Sequence, residues 1–156
     1  MDASRWADVE AINQLKARYF RLMDEKRWDE WGQVFTQDAT LDTTEDAKDA
    51  LVTGRDAIQT FVSQSVADLI TVHQGHMPEI ELTGERTARG IWAMEDYLEL
   101  ASDASFQIHG RGHYREEYAK GDDDAWRIAS LKLTRLWVRH TGAPPQSIID
   151  AGGHGT

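Results

Sequence analysis

The 156-residue chain contains no cysteine. That removes disulfides, thiol nucleophiles and thiolate metal sites together, and it fits a reducing compartment, so a cytoplasmic protein is expected. Cationic residues are also short: 17 Lys and Arg stand against 27 Asp and Glu, a formal net charge of -10. Nucleic acid and anionic membrane surfaces need clustered cations, so neither is expected as a partner. No apolar run approaches the ~18 residues that span a bilayer. The opening MDASRWADVEAINQ is acidic and lacks the apolar stretch of a secretory signal. Proline is scarce at 3 residues, and Pro144 and Pro145 fall together near the end. With the glycines that follow, they mark residues 143–156 as a tail behind one domain over 1–142.

The remaining composition, 40% hydrophobic and 28% charged, is that of an ordinary globular chain long enough to bury a core. Trp6, Val9, Ile12, Leu15/Lys16, Tyr19 and Leu22/Met23 recur at three- and four-residue steps and predict a first helix. RWDEWGQVF predicts a second, shorter one with Trp28, Trp31 and Phe35 on one face. TQDATLDT reads as a strand, and TGRDAIQTFVSQSVADL as a third helix with Ile58, Phe61, Val62 and Val66 as its apolar stripe. From residue 70 the period changes. TVHQGHMPEIEL, RTARGIWAMEDYLEL, SFQIHGRGHYREEYAK and AWRIASLKLTRLWVRH are four long strand candidates separated by turn-forming residues. Helices followed by antiparallel strands predict an α+β fold in which the helices pack on the concave face of a curved sheet, with room for a ligand between them.

His73 and His76 are three apart in a predicted strand, so they point to opposite faces. That parity, the lack of cysteine and the lack of an HExxH motif argue against a metal site. His76 is expected at the surface. Asp96 shares parity with Trp92 and Met94, which puts an acid on an apolar face, and Arg135 shares parity with Leu131, Leu133 and Trp137. A cation so placed wants an anionic partner, either Asp24 or a substrate group. Asp24 lies five residues past Tyr19, about 140° round a helix, so spacing alone does not bring both into one pocket. His109, Arg111, His113 and Arg115 alternate with Phe106, Ile108, Gly110 and Gly112 and so belong to the opposite sheet face.

The blocks LKARYFRLMD, KRWDEW, TVHQGHMPEI, ARGIWAMEDYL and GRGHYREEY, in that order, resemble the SnoaL-like branch of the nuclear transport factor 2-like (NTF2-like) superfamily. The resemblance runs from about residue 7 to residue 140. It implies a cone-shaped α+β barrel with a deep apolar pocket. Its enzymes include dehydratases acting on scytalone and bile acids, a lindane dehydrochlorinase, ketosteroid isomerases and polyketide cyclases. By that resemblance the chain is expected to be a proton-transfer enzyme, a dehydratase-type lyase (or an isomerase or cyclase), acting without metal or cofactor on a small hydrophobic cyclic, polyketide- or steroid-like substrate. His73 is the implied general base and Asp24 or Asp96 its orienting acid, with Tyr19 or Arg135 assisting the leaving group or oxyanion. Trp92, Met94, Phe20 and Phe61 are expected to line the pocket. A homo-oligomer, dimer or trimer, is expected through the outer sheet face. The rival expectation is a non-catalytic ligand-binding or assembly module of the same fold, including a role like that of a dioxygenase β-subunit.

Overall fold

A computed structural model describes residues 3–144; the tail assigned to 143–156 lies almost wholly outside them. Helix α1 (Ala3–Asp24) is followed by the short α2 (Trp28–Gly32), strands β1 (Phe35–Asp42) and β2 (Leu51–Thr53), and α3 (Arg55–Ser65). The chain then runs through four long strands, β3 (Leu69–Leu82), β4 (Thr87–Leu100), β5 (Asp103–Lys120) and β6 (Trp126–Thr141). They form one six-stranded sheet in the order β2-β1-β6-β5-β4-β3. All pairings are antiparallel except β1 with β6, so the sheet is mixed. It curls round the helices without closing, an open cone with β2 and β3 as its outermost strands.

The core lies between the helices and the inner sheet face. Ile12, Leu15, Tyr19, Leu22 and Met23 of α1 are buried against Trp92, Met94, Tyr114, Tyr118, Ile128, Leu131 and Leu133. Gly75 makes this docking possible, because a Cβ there would lie 2.7 Å from the Phe20 ring. The helix stops at Asp24 by a backbone device. Lys26 adopts a left-handed conformation (φ 59°), its N–H bonds to the Met23 carbonyl, and the N–H of Arg27 reaches back to the Leu22 carbonyl. This is the Schellman arrangement that satisfies the last carbonyls of a helix.

Three details depart from the sequence expectation. Phe35 is the first residue of β1 rather than the last of a helix, although its ring still packs on Trp31 at 4.9 Å. The short strand β2 pairs with β1 where no strand is expected. Regular alternation also fails at β-bulges. One falls between His76 and Glu79, where Met77 has φ 39°, and another between Arg111 and Gly112 opposite β6. The second leaves Leu136 unpaired, so Trp137 flips to the outer face beside His109 and Arg111 while Arg135 stays inside. One inserted residue reverses every later side chain.

Candidate active site

The end of α1 and the middle of β3 meet through a single carboxylate. Asp24 Oδ1 lies 2.7 Å from His73 Nδ1 and accepts from the Thr71 hydroxyl at 2.9 Å, while Oδ2 accepts from the His73 backbone N–H at 2.8 Å. Lys26 Nζ in turn donates to the Thr71 oxygen at 2.9 Å, so the Thr71 proton must point at Asp24. Surrounded by donors, Asp24 acts as an acceptor, which leaves the proton of the neutral imidazole on Nδ1 and the lone pair on Nε2. His73 is nearly buried, with 9% of its side chain exposed, and Nε2 has no protein partner among the described residues. His76, by contrast, is exposed on the other face.

Asp96 faces His73 across the β3–β4 ladder. Because the His73 N–H turns away toward Asp24, this is a non-hydrogen-bonded pair, the type that brings facing side chains closest. Asp96 does not pair with the histidine. It holds Arg135 in a bidentate grip, at 3.0 Å and 2.8 Å. The expected partners of Arg135, Asp24 or a substrate, give way to Asp96 on one edge and Asp46 on the other, the latter at 2.7 Å and 2.8 Å. With the Met94 sulfur 3.7 Å from Nη1, all five side-chain N–H groups of Arg135 have protein partners. Burial lowers the guanidinium pKa, but the bonds to Asp46 and Asp96 outweigh it and raise it overall. Gly110 lies beneath the pair: a Cβ would come within 2.3 Å of Asp96 Oδ1 and 2.4 Å of Arg135 Nη1, so a side chain there would displace the pair.

These groups form the polar end of a cavity of about 700 Å³ between α1, α3 and the sheet. Its walls are mainly apolar, with Met23, Leu41, Phe61, Val62, Phe106, Ile108 and Leu133 prominent, and Tyr19, Tyr114, His73, Asp96 and Arg135 complete it. Of the expected pocket residues only Phe61 lines the cavity. Trp92, Met94 and Phe20 belong to the layer behind it. The Trp92 indole donates to Tyr118 at 2.8 Å, Met94 lies under Arg135, and Phe20 is held against Gly75 and Tyr114. Tyr19 and Tyr114 are both fully buried phenols. Burial first pushes both pKa values up, followed by Glu116 for Tyr19 and by Tyr19 and then Asp96 for Tyr114, so both stay protonated at any ordinary pH.

Two groups near the cavity carry no conspicuous sequence motif. Lys16 and Glu116 are completely buried and paired at 2.6 Å. The ammonium stands 3.7 Å from the Tyr19 ring centroid and 4.3 Å from that of Tyr114. Tyr118 donates its hydroxyl to the other Glu116 oxygen. Burial lowers the Lys16 pKa, opposed by Glu116. Parity could have found Glu116, since the even-numbered face that holds Phe106 and Tyr114 runs on to it. Asp46 sits in an irregular loop where no period applies. No three His, Asp or Glu side chains among the described residues converge as a metal site would require.

The SnoaL-like domain family matches residues 4–132. The chain belongs to that family. Solved structures agree on the fold. A candidate scytalone dehydratase from Novosphingobium aromaticivorans superposes with a TM-score of 0.80 at 17% identity, covering 92% of this chain and 94% of that one. The hexachlorocyclohexane dehydrochlorinase LinA-type3 from Novosphingobium barchaimii LL02 gives 0.77 at 18%, covering 93% and 100%. A candidate aromatic ring hydroxylase from Novosphingobium aromaticivorans gives 0.75 at 18%, covering 91% and 94%. At such identities the likeness concerns the shared NTF2-like α+β cone, on which this SnoaL-like chain builds its own cavity.

Proposed function

We propose that this SnoaL-like protein is a cofactor-independent proton-transfer enzyme, a dehydratase-type lyase acting on a small hydrophobic cyclic molecule of polyketide or steroid type. The observation that carries the proposal is the three-donor environment of Asp24, which engages Nδ1 of His73, a residue lining a ligand-sized apolar cavity, and leaves its Nε2 lone pair without a protein partner among the described residues. In this reading Nε2 removes a proton from a carbon beside a carbonyl. Asp24 stabilises the imidazolium that forms, as the aspartate of a catalytic triad does. Tyr19 holds its proton too tightly to act as an acid, but it can donate a hydrogen bond to the developing enolate oxygen while its own oxygen accepts from Tyr114. The proton on Nε2 then passes to the departing hydroxyl. The C–O bond breaks, the carbon–carbon double bond forms, water leaves, and neutral His73 is restored. Arg135, with every donor engaged, acts by holding Asp96 and the loop bearing Asp46 rather than by touching substrate.

The rival reading, a binding or assembly module without turnover, is separated from this one by exchange chemistry. Incubated in D₂O with cyclic β-hydroxyketones, the protein should catalyse deuterium incorporation at the α-carbon and loss of water, followed by NMR. His73→Ala should lower both rates by about 10²- to 10⁴-fold. Equal rates for the variant and the parent would remove His73 as the base.

A further inference from the structure

The loop between β1 and β2 places two acids, Glu45 and Asp46, at the mouth of the cavity. Asp46 takes a bidentate share of Arg135, and Glu45 accepts from the Arg135 backbone N–H. Arg135 already has a complete partner in Asp96, which is 5% exposed and held from the inside. Asp46 is 36% exposed and approaches from the solvent side. One guanidinium therefore faces two carboxylates, of which one is built into the sheet and the other is carried by a loop.

The charges at this end of the cavity do not balance. Asp24, Asp96, Asp46 and Glu45 are set against Arg135 and Lys26. An incoming carboxylate or sulfonate would have to displace Asp46 from Arg135 or lie beside acids that no cation compensates. In a half-desolvated site either course weakens binding by an order of magnitude or more. A neutral ketone or alcohol meets neither obstacle, and the apolar walls receive its ring system.

We infer that Asp46 is a specificity-determining residue: by occupying the outer edge of Arg135 it restricts the cavity to uncharged ligands and closes it to organic anions. The inference deepens the function proposed above and takes its cavity as the ligand site, but it concerns charge and not the base. Without Asp46, the outer edge of Arg135 becomes an anion site.

Two fluorescent probes of nearly one shape test this, the neutral N-phenyl-1-naphthylamine and its sulfonated counterpart 1-anilinonaphthalene-8-sulfonate. The parent protein should bind the neutral probe at least about tenfold more tightly. Asp46→Ala should raise affinity for the sulfonate at least about tenfold while leaving that for the amine within about twofold. Asp46→Asn, which removes the charge and keeps the volume, should move the same way, separating charge from added space. Unchanged thermal melting of both variants shows that the probes report the cavity and not exposed core. Equal binding of the two probes by the parent would overturn the inference. So would an unaltered sulfonate affinity in both variants, an equal gain for both probes, or failure of the parent to bind either one. Loss of turnover in His73→Ala and charge preference at Asp46 are separate readouts, so either reading can fail while the other stands.

Discussion

At the scale of single residues the site turns on which atom carries a proton. Asp24 is ringed by donors, and Thr71 is locked as a donor because Lys26 occupies its lone pair. Asp24→Asn would put an amide N–H where an acceptor is needed, turning His73 to the tautomer with its proton on Nε2. Exchange at the substrate carbon should then fall by up to about 10⁴-fold, the loss found when the acid of a Ser-His-Asp triad becomes its amide. The protein should remain folded, as a melting curve will check. Thr71→Val should cause a smaller loss, because the carboxylate survives and only its alignment slackens. Asp24→Asn activity equal to the parent would sever the proposed link between this carboxylate and the base. His73, Asp24 and Asp96 are all legible in the sequence as candidates, by resemblance and by strand parity. Which acid serves which partner is not legible, because it depends on where α1 stops relative to the sheet. Asp96, the acid best placed by parity, belongs to Arg135.

At the scale of elements, alternation predicts the inner face of β4 and most of β5 from residue types alone. It fails where bulges insert an extra residue, and so Trp137, expected beside Arg135, lies on the opposite face. Lys16 hides within an apolar helix stripe because a charge there reads as an interruption rather than as half of a pair 100 residues apart in sequence. That pair ties α1 to β5 in the driest part of the cone. Lys16→Met leaves Glu116 buried without its counterion and should destabilise the fold by about 3–5 kcal/mol, whereas the double replacement Lys16→Met/Glu116→Leu should recover much of the loss. Urea midpoints of the two single variants and the double variant measure the coupling. Additive losses would mean that the two charges do not stabilise one another.

At the scale of the whole molecule, three buried phenols, Tyr19, Tyr114 and Tyr118, all have pKa values raised mainly by burial. In the unfolded chain they ionise near the ordinary value of 10.0. Above that pH the folded protein keeps protons that the unfolded chain has lost, so stability falls as pH rises. Lys16 and Lys26, whose pKa values burial lowers, work in the opposite direction up to their unfolded value of 10.5, but they are two groups against three. The protein should therefore hold its full phenol-linked stability below pH ~10 and lose it steeply above. Denaturant midpoints at about pH 8 and pH 11, read alongside tyrosinate absorbance, should show ionisation and unfolding together. Ionisation of any tyrosine beyond the half-buried Tyr97 while the protein stays folded would contradict the burial of these rings. No helix among the described residues is long and apolar enough to cross a membrane.

β3 ends the sheet, so half of its backbone N–H groups have no neighbouring strand to bond. His73 has one of these outward amides, and Asp24 takes it in the place that another chain's carbonyl would fill. The carboxylate proposed to steer the proton is thus also a stopper on an open seam. If it is lost, the exposed β3 backbone becomes a docking strip for a second extended chain. Variants at Asp24 would then tend to associate edge to edge as well as turn over slowly. Selection on that one side chain would act through solubility as well as through chemistry.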